Sequence, residues 1–455
     1  MNLNGASACG SGIKRITMEI DKITYEDLSL FSHEEEYSIF HKLDFTRTTG
    51  GKDLLLEYFN HPFSTLHPIL ETQRVLALLS EKIDQWPSSI SNGTLMVIER
   101  FYETAVDDIP QAHNLPAALM YKVFHAPDYS IVRYSVTHFA DFLRGMNQLI
   151  ALLDTPNCPR LLSDLLKKAR EQLNQDILQS LVKLKPGVKL NPVQVIHYGN
   201  FIRYRSKTTM QLLIEIHNRL DAWYSMAMAI RRYKLSFPVF VEQEEPYFEA
   251  GSLYHLLLPT PVAYDVKLDQ ASNFLFLTGA NMAGKSTFIR SVGVVVFLAH
   301  LGMGVPAKTM RLSLFDGILS NINVVDNISK GESFFFNEVQ RIRNTLEKIG
   351  GNKKWLVLID ELFKGTNVQD AMKCSTTVIK GLIKIRQSLF ILSTHLYEIG
   401  EELKVYPNIQ FNYFETAVKD DQLEFSYQLK QGISNDRIGY LILKREKVVE
   451  MLERL

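Results

Sequence analysis

Apolar positions recur with two different periods in the two parts of this 455-residue chain. Between residues 30 and 235 they fall at three- and four-residue steps, as in Leu162, Leu165, Leu166, Ala169, Leu173, Ile177, Leu178 and Leu181. That spacing places them on one face of a single helix and predicts a helical domain with an ordinary apolar core. Pro186, Gly187, Asn191 and Pro192 mark a break between two helical segments. Beyond residue 250 the pattern changes to short unbroken apolar runs at 274–277, 355–359 and 389–392. Runs of that length, with helical stretches between them, predict strands buried on both faces of an open α/β sheet. The passage from Phe237-Pro238 to Gly251, with its acidic residues, reads as the entry into that second domain.

The first of these strands runs into Thr278-Gly279-Ala280-Asn281-Met282-Ala283-Gly284-Lys285-Ser286-Thr287, which has the phosphate-binding spacing G-x-x-x-x-G-K-[ST]. In such a loop Gly279 and Gly284 stand at the bends, Lys285 reaches the β/γ-phosphates and Ser286 holds Mg²⁺. The helix opened by Phe288-Ile289-Arg290 offers its N-terminal amides to the anion. The second strand ends in Asp360-Glu361, and the third delivers His395. Ligands of open α/β sheets lie beyond the carboxyl ends of the strands, so all three ends converge on one site. Asp360 is suited to hold Mg²⁺ with Ser286, Glu361 to polarise the attacking water, and His395 to sense the γ-phosphate or orient water. A nucleoside triphosphate and Mg²⁺ are the expected ligands.

The residues around these motifs resemble the ATPase domain of the MutS family of DNA mismatch-repair proteins. The resemblance is carried by Gly-Ala-Asn-Met-Ala-Gly-Lys-Ser-Thr at 279–287, Gly304-Val305-Pro306-Ala307, Asp360-Glu361-Leu362-Phe363-Lys364-Gly365-Thr366 and Ser393-Thr394-His395-Leu396-Tyr397-Glu398. Gly331-Glu332-Ser333-Phe334-Phe335-Phe336-Asn337-Glu338 resembles the segment whose serine reaches the neighbouring subunit's nucleotide. Upstream, 43–55, His61-Pro62-Phe63 and Ala222-Trp223-Tyr224 are similar to the family's helical core and lever. The resemblance implies an α/β P-loop NTPase domain of the ABC type, preceded by an all-α core and lever domain. It also implies Mg²⁺-dependent ATP hydrolysis and a homodimer with composite sites, in which Ser333 acts across the interface. The nucleotide would meet Gly279, Asn281, Met282, Ala283, Gly284, Lys285, Ser286 and Thr287. Where relatives place an aromatic on the adenine, this chain has Pro261-Val262-Ala263-Tyr264, so Val262 or Tyr264 is expected to take that place.

The implied partner is DNA, mismatched or branched and bound without sequence specificity. Three departures bear on that expectation. There is no sign of a mismatch-reading Phe-x-Glu wedge, the lever region is short, and no strand-rich clamp is evident. The segment 431–439 keeps the family outline but replaces its Ser-Tyr-Gly ending. Expected divisions are an N-terminal tail at 1–24, the helical domain at 25–240, the ATPase domain at 241–430 and a C-terminal helical tail at 431–455. Lys+Arg and Asp+Glu are 50 each, so net charge is zero and any DNA contact has to come from local patches. Candidates are Arg203-Tyr204-Arg205-Ser206-Lys207 and Arg231-Arg232-Tyr233-Lys234. A nucleotide switch acting on a protein partner, without DNA, is the alternative. A transporter ATPase lacks its Leu-Ser-Gly-Gly signature here, and a kinase lacks an acceptor module. Three scattered cysteines, Cys9, Cys158 and Cys374, point to a reducing, cytoplasmic setting with no disulfide framework. The N-terminus has no signal-peptide pattern, and no membrane partner is expected.

Overall fold

A computed structural model describes residues 17–32, 34–112, 114–323, 334–419, 422–434 and 448–453. The first part is helical: α1 (Lys22–Asp27), α2 (Ile39–Leu43), α3 (Thr49–Asn60), α4 (Leu66–Lys82), α5 (Asn92–Glu103) and α6 (Leu115–Phe124). Then come α7 (Ala126–Leu153), α8 (Arg160–Leu173), α9 (Asp176–Val182), α10 (Pro192–Arg205) and α11 (Lys207–Tyr233). Before α1, the short strand β1 (Glu19–Ile20) leaves this domain and pairs into the large sheet. Residues assigned from sequence to an N-terminal tail thus include an edge strand.

The stripe from Leu162 to Leu181 was expected on one helix and is divided between two. Leu162, Leu165, Leu166, Ala169 and Leu173 are buried on α8, whereas Leu178 and Leu181 are buried on α9. Asn174 and Gln175 break the chain between them. Asn is a poor helix-interior residue because its side chain competes for backbone groups, and the periodicity alone does not register that break. The break at 183–191 is where expected, and α10 then starts with Pro192 at its first position and a capping box between Asn191 and Gln194. A buried aspartate on α11 closes the domain on itself. Asp221 accepts from the backbone N–H of Arg47 at 3.0 Å, from that of Thr48 at 2.9 Å and from the Thr48 hydroxyl at 2.6 Å.

The second part holds β2 (Val239–Phe240), β3 (Phe248–Leu253), β4 (Tyr264–Leu268), β5 (Phe274–Thr278), α12 (Lys285–His300), β6 (Thr309–Leu312) and β7 (Gly317–Asn321). It continues with α13 (Phe334–Ile349), β8 (Trp355–Asp360), α14 (Val368–Leu382), β9 (Ser388–Ser393), α15 (Glu398–Leu403), β10 (Ile409–Lys419), β11 (Gln422–Gln431) and α16 (Val448–Glu453). The large sheet has the order β1-β7-β8-β9-β5-β10-β11, and every pairing in it is parallel except that of β11 with β10. A smaller sheet, β2-β6-β3-β4, lies beside it. β5, β8 and β9 are buried along their whole length, as continuous apolar runs require.

The two parts meet on α12. Phe288, Ile289, Val292 and the whole run Val294–Ala299 are at most 1% exposed, so this helix is covered on every side. Gly293 makes the approach possible, because a Cβ there would lie 2.5 Å from Leu28 and 2.8 Å from Leu358. At the helix end His300 is wholly buried. Its Nε2 accepts the Phe315 N–H at 3.3 Å, which leaves Nδ1–H to donate to the Phe63 carbonyl at 2.8 Å. Burial pushes its pKa down to about 4, so the ring is a neutral strut between the parts. No described helix is long and apolar enough to cross a membrane.

Candidate functional site

Sheet register assembles the site. Ser393 at the end of β9 pairs with Leu277 of β5 on one side and Asp360 of β8 on the other. The two motifs, far apart in sequence, therefore end on neighbouring strands. The loop leaving β5 turns through Gly279 (φ 140°), Met282 (φ 69°) and Gly284 (φ 105°). At Gly279 a Cβ would also come within 3.2 Å of the Phe414 backbone and side chain, so both its conformation and its space exclude other residues. The loop feeds α12, whose first residue is Lys285.

Lys285 is 5% exposed, and its ammonium donates to the loop carbonyls of Gly279 at 2.7 Å and Ala280 at 3.0 Å. Burial lowers its pKa, against the opposing pull of Glu361 and Asp360. The Ser286 hydroxyl donates to one Asp360 oxygen and the Ser393 hydroxyl to the other. This serine–carboxylate pair forms an oxygen donor set suited to Mg²⁺, a hard cation that takes one or two carboxylates and a hydroxyl beside phosphate. Ser286 and Asp360 would hold the ion.

Glu361 follows in the left-handed conformation at φ 63°, fixed by its N–H donating to the Ser393 carbonyl at 2.9 Å. Its carboxylate lies 3.4 Å from the Lys364 ammonium and 3.5 Å from His395 Nδ1. Burial works against its charge, but His395, Lys364 and Lys285 together hold the carboxyl at about 2. His395 is exposed, so its imidazole stands at the mouth of the site. The backbone before it is tied to the phosphate loop, since Thr394 N–H donates to the Leu277 carbonyl at 2.9 Å.

A cleft of about 540 Å³ opens over this group, lined by Val262, Asn281, Met282, Lys285, Ser286, Thr287, Glu361 and Tyr427 among others. Asn281 and Met282 are exposed at its rim, while Ala283 is buried beneath. Both residues expected beside the base, Val262 and Tyr264, line the cleft. Tyr264 is 7% exposed, with its ring edge-on to Phe288 and Phe414 at 5.5 Å each, so most of it is packed against the core beneath the cleft. A second, more exposed aromatic in the lining is Tyr427 on β11, 40% exposed and stacked on Phe425 at 6.0 Å. Sequence reasoning missed it, because only the pairing of β11 with β10 beside β5 brings it over Gly284. Tyr427→Ala is expected to weaken ATP binding roughly tenfold, since base–aromatic stacking contributes about 1–3 kcal/mol. Calorimetric titration checks this, and an unchanged affinity would place the base elsewhere.

Ser333 lies outside the described residues, as do residues 435–447. Its neighbour Glu338 on α13 is described, 1% exposed, with its carboxylate accepting the Lys364 N–H at 3.2 Å and the Gly365 N–H at 3.5 Å. The two basic patches proposed for DNA are partly committed elsewhere. Arg203 donates to the Phe101 carbonyl and to that of Thr104 at 2.9 Å, capping the end of α5. Arg231 pairs with Asp84 at 2.7 Å.

The fold and the site define an open α/β sheet with a crevice at its strand carboxyl ends, where a glycine-bearing loop with a buried lysine meets the acidic end of β8. Residues 275–451 match the family model for MutS domain V. The chain is 33% identical over 236 residues to the DNA mismatch repair protein MutS of Leuconostoc citreum (strain KM20), an alignment covering 50% of this chain and 27% of that protein. It is 28% identical over 239 residues to the DNA mismatch repair protein MutS of Petrotoga mobilis, covering 52% of this chain and 29% of that protein. Residues 275–451 are thus similar to domain V of the MutS family. The chain spans less than a third of the length of these curated relatives.

Proposed function

We propose that this chain is a Mg²⁺-dependent P-loop ATPase of the ABC type whose nucleotide cycle drives switching of its helical domain on DNA. The observation that carries the reading is the junction of Lys285, Ser286, Asp360 and Glu361 at adjacent strand ends, with the serine already bonded to the aspartate. In this reading residues 25–240 are the core and lever and 241–430 the ATPase domain, with 1–24 and 431–455 as flanking tails. ATP sits on 279–287 with its base toward Val262 and Tyr427. Asp360 and Ser286 hold the ion, Glu361 orients water, and His395 reads the γ-phosphate. A second copy closes the site with Ser333, and loss of the γ-phosphate releases it. Names of the relatives, all DNA mismatch repair proteins, support DNA as the partner.

One observation favours a second reading, a nucleotide switch acting on a protein. Net charge is zero, and Arg203 and Arg231 are engaged within the fold. A titration separates the two. Perfect duplex, mismatched duplex and a four-way junction are each added with and without ATP, with Lys285→Ala as control. The DNA reading expects ATP to change the affinity for at least one of them in the parent and for none in the variant. No binding at tens of micromolar with intact hydrolysis would instead establish the protein-partner switch.

A further inference from the structure

A second cavity, of about 500 Å³, lies where the helical part meets the end of α12 and takes no part in the chemistry above. Its walls come from the end of α3, the first turns of α4, the start of α8, one face of α11 and Leu301, the residue after α12. The 16 residues of α12 put it about 24 Å from Lys285 along the helix. Apolar pockets of this volume with a few convergent polar groups are the usual seats of small ligands.

The convergent groups here are donors. Arg219, Trp223 and Met226 stand at i, i+4 and i+7 on α11, so one helix face turns all three to the cavity. Arg219 is half-buried, and its guanidinium makes no hydrogen bond or ion pair among the described residues. The Trp223 indole N–H and the Thr72 hydroxyl belong to residues only 3% exposed and also lack a partner among the described residues. Neither atom is sealed in the core, and the cavity is the space that both residues line. Buried polar groups are normally paired, so three unpaired donors on one cavity point to an acceptor that sits there. The first turn of α4 adds to the positive wall, since its cap Thr65 makes no side-chain bond to it. The one carboxylate among the lining residues, Glu57, is exposed and stands at the rim.

We propose that this cavity is a binding site for a small organic acid, its carboxylate on Arg219, Thr72 and Trp223 and its apolar body against Phe63, Met226 and Leu301. A planar guanidinium offers a carboxylate two parallel N–H groups. Arg219 is the only lysine or arginine in the lining, so a singly charged acid is matched and a doubly charged phosphate is left half-compensated. The site is separate from the nucleotide cleft and does not rest on the ATPase reading.

The test is calorimetric titration of the full chain with 3-phenylpropionate and octanoate, each beside its neutral amide. At least one acid is expected to bind with a Kd of about 1 mM or below, as a ligand of that size allows. Its amide should bind about tenfold more weakly or worse, because the charge-assisted pair is lost. Arg219→Leu should lower the affinity for the acid by the same factor and leave that for the amide unchanged. Thr72→Val, nearly the same shape without the hydroxyl, should weaken the acid by about threefold or more. Lys285→Ala should bind the acid as the parent does. No binding of either acid at about 10 mM overturns the proposal. Equal affinity for acid and amide overturns it too, leaving an apolar hole with no anion recognition. Parental acid affinity in Arg219→Leu, or its loss in Lys285→Ala, places the anion elsewhere and overturns it as well. If Arg219→Leu does not fold, parental acid affinity in both Arg219→Lys and Thr72→Val has the same consequence.

Discussion

Glu361→Gln is expected to keep ATP bound and to slow its hydrolysis by roughly 10²–10⁴-fold, the range that one positioned acid–base group supplies. Against the cost of its burial, the hydrogen bond from His395 and the charges of Lys364 and Lys285 hold the pKa of Glu361 down to about 2. A group so acidic is a weak proton acceptor. In the proposed reaction its contribution would be to orient and polarise water, with the proton leaving toward phosphate or solvent. The sign of the shift gives a second expectation. Because the pKa is depressed, the carboxylate stays charged as pH falls from 8 to 4, and the parent-to-variant rate ratio should stay flat over that span. ATP hydrolysis and ATP titration on both proteins check this. A glutamine form that turns over at the parental rate would remove Glu361 from the mechanism.

Lys285→Ala has the opposite signature. Charge-assisted hydrogen bonds contribute about 1.5–3 kcal/mol each, so losing the ammonium is expected to weaken ATP binding by on the order of 100-fold. Hydrolysis should vanish with it at ordinary ATP concentrations. The fold, by contrast, should hold. The Lys285 ammonium hydrogen-bonds the carbonyls of Gly279 and Ala280, and its charge is already disfavoured by burial. Its removal relieves a buried cation and leaves two carbonyls beside an open cleft. The melting temperature is therefore expected to move by no more than a few degrees, as for a change of about 1 kcal/mol or less in a chain of this size. ATP titration and a thermal melt together decide it. Parental ATP affinity would mean that the phosphate lies elsewhere, and a collapse in melting temperature would make the lysine a structural strut. Side by side, the two variants separate binding from chemistry within one cleft.

Much of the site was legible before any coordinates, because it is built from contiguous stretches. A glycine at each bend, a lysine, a serine and a carboxylate pair behind an apolar run each announce themselves within ten residues. The helix–then–sheet division was legible for a similar reason, since buried faces leave a period in the sequence. Other features left no such local trace. The Leu162–Leu181 stripe kept its period across a break between α8 and α9, because both helices turn apolar faces to one core. Arg203 and Arg231 looked like a nucleic-acid surface, yet Arg203 caps the end of α5 and Arg231 answers Asp84. Such partners are distant in sequence and invisible to composition.

Local sequence by itself determined the glycine-bearing loop at 279–287, its flanking strand and helix, and the acidic strand end, because their geometry is set by short-range backbone sterics and hydrogen bonding. Tertiary structure alone decided which side chains surround them. The register of β9 between β5 and β8 set Ser393 against Asp360, and the antiparallel return of β11 swung Tyr427 over the loop. It also put the Glu338 carboxylate on the Lys364 amide after Glu361. These are contacts between segments far apart in the chain. Their energies come from burial and pairing across the whole sheet, and no local pattern of residues records them.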